Sequence, residues 1–266
     1  MPVATLPSGA PWHYDDLGCG QPLVLLHAFP LNRQQWKPQH DILSARVRLL
    51  APDLPGFGET PVPVGEPSVD GMADAVAAWL EAIGATEPIV LGGLSMGGYV
   101  ALAFARRHPA KLKGLILADT RAEADPPEAK TKRAEAIALV EAKGVPALFD
   151  GMLPKATSDR TRSESPNVIE ELKAIAAMQS AAGTIAGLAM LRDRPDSTES
   201  LSSIVVPTLI IVGAEDATTP PALSKAMAAA IPNSTFIEIA GAGHFANAEA
   251  PAEFNEAILG WLKGIG

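Results

Sequence analysis

The chain has 266 residues, with 21 basic and 30 acidic side chains and a formal net charge of −9. This length fits one large α/β domain or two small domains, and a hydrophobic content of 47% excludes a chain that is disordered throughout. The acidic balance argues against a nucleic-acid partner, because phosphate binding needs clustered Lys and Arg and the sequence has no such run.

The cysteine content and the N-terminal segment indicate a cellular compartment. A lone cysteine, Cys19, excludes an intramolecular disulfide and a multi-cysteine zinc site, and it fits a reducing environment. The N-terminal residues lack the basic start and the apolar core of a signal peptide, and no run of about 18 apolar residues is present. We therefore expect a cytoplasmic globular protein without a membrane partner.

Short apolar runs alternate with helical patterns along most of the chain. The first 20 residues predict an antiparallel edge strand or hairpin. Six buried strands are then predicted at Pro22–His27, Val47–Pro52, Pro88–Leu94, Gly114–Thr120, Pro207–Gly213 and Thr235–Ala240. Because strands that alternate with helices form parallel sheets, the predicted fold is α/β, with a mostly parallel, doubly wound sheet flanked by helices.

The helical patterns carry recognisable start and stop signals. The first predicted helix spans Val69–Ile83, where Ser68 can cap its start and Gly84 suits the left-handed residue after its end. Three more helices are predicted at Met96–His108, from about Pro220, and at Pro251–Lys263.

One long segment, residues 121–200, breaks this alternation because it shows no clear strand. It is richer in charged residues than the rest of the chain and has helical periodicity. Asn167 and Glu170 resemble a capping box, followed by Val168, Leu172 and Ile175 on one face. We interpret 121–200 as a helical cap inserted after Gly114–Thr120, which is the sixth strand when a two-stranded hairpin in the first 20 residues is counted. The core is then residues 1–120 and 201–266, and the alternative is a disordered excursion.

The strongest chemical signal is the sequence Gly-Leu-Ser-Met-Gly at 93–97, between an apolar strand and an amphipathic helix. A tight strand–turn–helix bend needs small residues two places either side of its central residue. The bend would raise the Ser95 hydroxyl above the sheet at a helix N-terminus, where developing negative charge is favoured. Ser95 is therefore the candidate nucleophile, and the alternative is a glycine-rich turn that serves packing.

A serine nucleophile needs a base, and His244 is the best placed of the five histidines. It lies in the loop Gly-Ala-Gly-His-Phe directly after the last predicted strand. His27 ends a core strand and is predicted to organise the following loop. The other three histidines, His13, His40 and His108, are predicted to be structural or solvated.

The base in turn needs an acid to hold its tautomer, and Asp216 follows the strand before the His244 loop. Asp119, at the end of another strand, is the rival, and Glu215 is a weaker one. A helix-capping role is the alternative for Asp216.

Acyl transfer also requires donors for an oxyanion. The N–H of Met96, the residue after the nucleophile, is one expected donor, and the N–H of Phe29 in the loop 27–30 is the other. Pro30 has no N–H and cannot donate.

Together these residues resemble the α/β-hydrolase superfamily over nearly the whole chain, and within it the branch of small esterases, 3-oxoadipate enol-lactonases and cofactor-free perhydrolases. The resemblance rests on HAFP at 27–30, DLPGFG at 53–58, GLSMGG at 93–98, GAEDATTP at 213–220 and GAGHF at 241–245. It implies a catalytic triad of Ser95, Asp216 and His244 with oxyanion donors at Phe29 and Met96. Ala28 departs from the pattern, since the family usually has Gly there.

The resemblance also limits the chemistry. Relatives that dehalogenate alkanes or open epoxides have an aspartate at the nucleophile position, so Ser95 implies an acyl-enzyme. Neither a metal nor a cofactor is required, and the sequence before Ser95 lacks the lysine of a phosphate-binding loop. Asp53 is predicted to fix its own loop, and Arg33 either to bind a substrate carboxylate or to lie at the surface.

The expected activity is hydrolysis of a small carboxylic ester or lactone. Perhydrolysis, amide or C–C bond hydrolysis on the same triad, and a slow-turnover ligand receptor are the alternatives. The possible pocket-lining residues in the cap are Phe149, Met152, Met178, Met190 and Leu191. The sequence gives no indication of the oligomeric state.

Overall fold

The computed structural model describes residues 2–6 and 9–265, which form an eight-stranded sheet. The strands are β1 Val3–Thr5, β2 Pro11–Leu17, β3 Pro22–Leu26, β4 Arg48–Pro52, β5 Ile89–Leu94, β6 Leu112–Ala118, β7 Thr208–Gly213 and β8 Ser234–Ile239. Their order across the sheet is β1-β2-β4-β3-β5-β6-β7-β8, and all neighbours from β4 to β8 pair in parallel. The predicted mostly parallel sheet is confirmed.

The N-terminal segment forms the antiparallel edge of the sheet. β1 pairs with β2, and β2 pairs with β4, both antiparallel. The predicted hairpin over the first 20 residues is confirmed for the part that the structure describes, while positions 1, 7 and 8 lie outside it.

The central strands are apolar on both faces because helices cover both sides of the sheet. In β3, Val24 and Leu26 belong to one buried cluster, and Leu23 and Leu25 belong to another. The side chains of a strand point alternately to opposite faces, so a continuous apolar run is what a sheet covered on both faces requires.

The helices of the core follow the predicted signals closely. They are α1 His40–Ser44, α2 Val69–Ala82, α3 Met96–Arg107, α8 Pro221–Ala230, α9 Ala246–Glu249 and α10 Pro251–Leu262. Ser68 Oγ accepts a hydrogen bond from Gly71 N at the start of α2, and Gly84 has a φ of +70° after its end. The predicted cap and stop of this helix are therefore confirmed.

Between β6 and β7 the chain is helical, as the periodicity of residues 121–200 predicted. The helices are α4 Pro127–Ala156, α5 Asp159–Glu164, α6 Pro166–Ala177 and α7 Ala181–Asp193, followed by a 3₁₀ helix at Thr198–Ser203. α4 bends at Gly144, whose φ of +79° breaks the helical geometry.

The predicted capping box in this segment is wrong. Helix α6 begins at Pro166, with Ser165 as its N-cap, and Asn167 and Glu170 lie inside its first turns. Proline suits the first helical position because its missing N–H would have no helical partner there. That preference moves the helix start ahead of Asn167.

Among the described residues, no single helix is long and apolar enough to cross a membrane. Helices α6 and α7 together meet that test by length and composition, with a bend of 99° between them.

Candidate active site

Ser95 lies in a strained turn between β5 and α3. Its φ is +54° and its ψ is −109°, a backbone conformation that L-residues rarely adopt. A Cβ at Gly93 would lie 2.1 Å from Gly97 O, and a Cβ at Gly97 would lie 2.2 Å from Leu26 O. The turn therefore requires glycine at both positions, which is the physical basis of the sequence pattern around Ser95.

Three side chains from three loops form a continuous hydrogen-bonded line. Ser95 Oγ lies 2.9 Å from His244 Nε2, and His244 Nδ1 lies 2.8 Å from Asp216 Oδ2. His244 is 3% exposed and Asp216 is 2% exposed. This arrangement lets the imidazole take a proton from the serine while the carboxylate holds the tautomer.

Asp216 is stabilised in its ionised form although it is buried. Burial opposes the charge, but His244 and the hydrogen bonds from Thr219 outweigh it, so the pKa of Asp216 lies below its ordinary value. Thr219 donates to both carboxylate oxygens, from Oγ1 at 2.6 Å and from N at 2.9 Å. Thr218 N donates to Oδ1 at 2.8 Å. The Asp216 carboxylate therefore accepts the capping hydrogen bonds from Thr218 and Thr219 and contacts His244 at the same time.

The loops after β7 and β8 are held together and against the helical segment. Glu215 N donates to Ala242 O at 2.9 Å, which ties the Asp216 loop to the His244 loop. His244 N donates to Ala156 O at 3.0 Å, at the end of α4. The position of the imidazole therefore depends on both the sheet and the α4 terminus.

The two rival acids are located elsewhere. Asp119 is fully buried after β6, with a φ of +43°, and its Oδ1 accepts a hydrogen bond from Gly213 N at 2.8 Å. Burial and the charge of Asp216 raise the pKa of Asp119 well above its ordinary value. Glu215 is exposed and accepts from Asp159 N at 3.3 Å. Thus His244 contacts Asp216, and Asp119 links β6 to β7.

The residues expected to donate to an oxyanion both lie near Ser95. Met96 is the first residue of α3, and Phe29 lines the same pocket as Ser95. The Phe29 loop is fixed because Ala28 N donates to Gln35 Oε1 at 2.8 Å.

His27 organises that loop, as predicted. Leu54 N donates to His27 Nε2 at 3.0 Å, and the imidazole is fully buried. Burial lowers the pKa of His27, which favours the neutral ring that accepts this hydrogen bond. Nδ1 lies 3.0 Å from Ala28 O. The imidazole therefore connects the loops after β3 and β4.

Both interpretations of Arg33 are wrong. Its side chain is 3% exposed and pairs with Asp53, Asp15 and Glu59. Asp53 also accepts from Arg33 N at 2.8 Å and from Glu59 N at 2.9 Å, so it fixes its loop as predicted. Arg33 is therefore a buried structural partner, which the sequence could not show because Asp53 lies 20 residues away.

The remaining histidines lie at carboxylates outside this group. His13 Nδ1 is 3.9 Å from Glu59, and His40 Nε2 is 3.6 Å from Asp15. His108 Nε2 is 2.8 Å from Asp74 Oδ1, just after α3.

Ser95 and His244 line a cavity of about 60 Å³, which we call the inner pocket. Of the five cap residues proposed as lining, Met152 and Leu191 are in this pocket. The other three are not: Phe149 packs on Phe245, Met190 is buried, and Met178 is 53% exposed in a different groove.

Sequence reasoning missed Arg121 and Arg133, which also line the inner pocket. Arg121 comes just after the carboxyl end of β6, where ligand sites of parallel sheets lie, and this position was an available signal. Arg133 is on α4, and it reaches the inner pocket only because of the way that helix packs.

Comparison with known proteins agrees with this arrangement. A family model described as "Alpha/beta hydrolase family" matches residues 23–257. A curated relative, the AB hydrolase superfamily protein YisY of Bacillus subtilis, is 31% identical over 254 residues, which cover 92% of each chain.

Two solved structures are similar over nearly their full length. An esterase from Thermogutta terrifontis with malate bound has 40% identity and a TM-score of 0.95, covering 99% of this chain and 98% of that one. The enol-lactonase from Burkholderia xenovorans LB400 has 25% identity and a TM-score of 0.90, covering 98% and 100%. The family match, the sheet order and the serine turn lead to one conclusion: the chain belongs to the alpha/beta hydrolase family.

Proposed function

We propose that the protein is a serine hydrolase of the carboxylesterase type that cleaves a small carboxylic ester or lactone. The observation that carries the proposal is the contact of Ser95 Oγ with His244 Nε2 at 2.9 Å, continued from His244 Nδ1 to Asp216 at 2.8 Å. The similar esterase and enol-lactonase, together with the family membership, support hydrolysis of a carboxylic ester bond.

In the proposed first half-reaction, Ser95 Oγ attacks the ester carbonyl while His244 Nε2 takes the hydroxyl proton. The N–H groups of Phe29 and Met96 stabilise the negative charge that develops on the carbonyl oxygen. Asp216 stabilises the imidazolium. When the tetrahedral intermediate collapses, His244 returns the proton to the departing alkoxide, and an alcohol leaves behind an acyl group on Ser95.

In the second half-reaction, water replaces the alcohol. His244 removes a proton from the water as its oxygen attacks the acyl carbonyl, and the oxyanion donors act again. Collapse of this second intermediate breaks the bond to Ser95, which recovers its proton from His244. The product of this half-reaction is a carboxylic acid. When the substrate is a lactone, the alcohol group stays attached, and the product is a hydroxy acid.

The volume of the inner pocket favours small substrates. Its volume of about 60 Å³ and its covering by Met152 from α4 and Leu191 from α7 leave little room around Ser95. We propose that residues 121–200 form a cap domain over a core of residues 1–120 and 201–266. A cytoplasmic location without nucleic-acid or membrane partners also stays a prediction from the sequence.

Steady-state hydrolysis of p-nitrophenyl esters of increasing acyl length tests the proposal. We expect wild type to turn over short acyl chains, and Ser95→Ala to lose activity by about 10³-fold or more, because the nucleophile is missing. Ser202→Ala is the matched control, since it removes an exposed hydroxyl outside the pocket. Undiminished turnover by folded Ser95→Ala would overturn the assignment.

A further inference from the structure

The inner pocket shares lining residues with a second, larger pocket, and two of the shared residues are positively charged. The inner pocket adjoins an outer pocket of about 540 Å³. Both are lined by Met152 and by the two cations Arg121 and Arg133. A substrate that passes from the outer pocket to Ser95 therefore passes the two guanidinium groups.

The guanidinium groups are held in place by one buried carboxylate. Asp125 accepts hydrogen bonds from Arg121 Nη2 at 2.5 Å and from Arg133 Nε at 3.1 Å, and Arg194 Nη1 lies 2.8 Å from it. Arg194 is 4% exposed, and its guanidinium lies over the Tyr99 ring at 4.2 Å from the centroid. Three cations thus surround one anion, and two of them line the pocket.

The charge around the pockets stays positive when every described lining residue is included. Apart from His244, the charged residues described in the lining of the inner pocket are Arg121 and Arg133. The outer pocket adds Lys132, Lys155, Asp125 and Glu135. Four cations therefore face two carboxylates. Because Arg121 and Arg133 are partly buried, salt screens their charge less than it screens exposed residues.

Arg121 also has hydrogen-bonding capacity that the described residues leave unused. Its Nε is buried and has no hydrogen-bond partner among them, although the side chain as a whole is 19% exposed. A buried donor without an acceptor costs free energy, and an anionic oxygen is the acceptor that a guanidinium binds best. Arginine presents its donors in a planar fork that matches a carboxylate.

We propose that Arg121 and Arg133 form an anion subsite for a carboxylate at the far end of the acyl group. The preferred substrates are then half-esters of dicarboxylic acids, or lactones that carry a second carboxylate. This inference rests on the proposed function for the reaction at Ser95, but the subsite can be tested separately by binding.

The test compares esters that differ in one group. Ethyl hydrogen succinate, glutarate and adipate are each paired with the neutral ester in which a methyl replaces the carboxylate: ethyl butanoate, pentanoate and hexanoate. We expect wild type to favour at least one half-ester by kcat/KM. We expect Arg121→Met and Arg133→Met each to reduce that preference by about tenfold or more, since each removes a charged hydrogen bond. The ratio of the two kcat/KM values does not depend on the amount of folded enzyme.

Two further variants make the comparison sharp. Arg192→Met is the control, because it removes a partly exposed cation that pairs with Asp193 outside both pockets, and we expect the preference to stay unchanged. Arg133→Lys keeps the charge but loses the planar fork, and we expect an intermediate preference. Equal preference in wild type and both arginine variants, at all three lengths, would overturn the subsite.

Calorimetric titration with adipate separates the subsite from the reaction. We expect folded Ser95→Ala to bind adipate, and Arg133→Met in the same background to bind about tenfold more weakly or worse. Unchanged binding on loss of Arg133, or no binding by Ser95→Ala, would contradict the subsite even if neutral esters are hydrolysed. Arg133-dependent binding without any ester turnover by wild type would instead contradict the proposed function.

Discussion

Two buried aspartates near the active site, Asp216 and Asp119, have opposite protonation tendencies. Burial alone would raise the pKa of Asp216, but His244 and Thr219 lower it overall. Burial and the nearby charge of Asp216 raise the pKa of Asp119. The proposed mechanism needs a carboxylate beside the imidazole, whereas a neutral carboxyl suffices to accept from Gly213 N. The environment of each group therefore fits a different role.

The two roles predict different responses to the same substitution. Asp216→Asn removes the charge beside His244 and favours the wrong tautomer, so we expect kcat to fall by about 10³–10⁴-fold. Asp119→Asn keeps the shape and an acceptor for Gly213 N, so we expect kcat to fall by less than about tenfold. Steady-state kinetics on a p-nitrophenyl ester measures both, and a larger loss in Asp119→Asn than in Asp216→Asn would reverse the assignment.

Asp119 also predicts a pH dependence of stability. Its folded pKa is raised, so its contribution to stability is fully present below the unfolded pKa of about 3.9 and is lost as the pH rises toward the folded pKa. Asp119→Asn removes this loss. We expect the variant to gain stability relative to wild type above pH of about 4, by at most about 1.4 kcal/mol for each pH unit.

Thermal unfolding of wild type and Asp119→Asn between pH 4 and 8 measures this gain. A difference in free energy of unfolding that stays constant over the whole range would show that Asp119 titrates normally in the folded protein. Asp216 works in the opposite direction, because its pKa is lowered: its contribution is present above about 3.9 and is lost as the pH falls.

At the scale of residues, the sequence predicted side chains whose position follows from strand ends. Ser95, Asp216 and His244 each follow a strand of the parallel sheet, so their loops meet at one edge. Arg33 was misread because its partners come from other loops. Arg133 was missed because its position depends on the packing of α4 and on Asp125, which no local pattern encodes.

At the scale of elements, the apolar runs and the capping and turn residues between them predicted the positions of the strands and helices well. The ends differed where the backbone departs from regular geometry. β6 ends at Ala118 rather than at the predicted Thr120, because Asp119 has a positive φ. The bend of α4 at Gly144 and the start of α6 at Pro166 shaped the helical segment in ways that periodicity did not show.

The close contact between α3 and β3 predicts a strong effect of one methyl group. A Cβ at Gly97 would lie 2.2 Å from the Leu26 carbonyl oxygen, so the helix must shift away from the sheet. We expect Gly97→Ala to destabilise the fold by about 1–3 kcal/mol and to reduce esterase activity, because the turn at Ser95 moves.

Gly260 provides a matched control for this substitution. It is an exposed helical glycine in α10 whose Cβ would meet no atom within 4 Å. We expect Gly260→Ala to stabilise the protein by about 0.5–1 kcal/mol, since alanine is the better helix former. Equal unfolding midpoints in urea for Gly97→Ala and Gly260→Ala would show that the turn at Ser95 tolerates a side chain at position 97.

At the scale of the whole molecule, a net charge of −9 contrasts with the cationic lining of the candidate active site. The overall charge repels anions at long range, and the arginines beside Ser95 act at short range, where buried charges are least screened. The parallel sheet makes this possible, because it brings the carboxyl ends of β5, β6, β7 and β8 to one edge. The fold was therefore predictable from the chain as a whole, whereas the pocket required the packing of the helical segment.

The central claim, that Ser95 is a nucleophile activated by His244, is tested most directly by covalent labelling. Diethyl p-nitrophenyl phosphate transfers a diethylphosphoryl group to an activated serine and releases p-nitrophenolate. Intact-mass spectrometry with peptide mapping should find one diethylphosphoryl group, on Ser95, in proportion to the loss of esterase activity. Ser95→Ala should stay unlabelled and His244→Ala should react far more slowly. Complete inactivation with Ser95 unmodified would contradict the account.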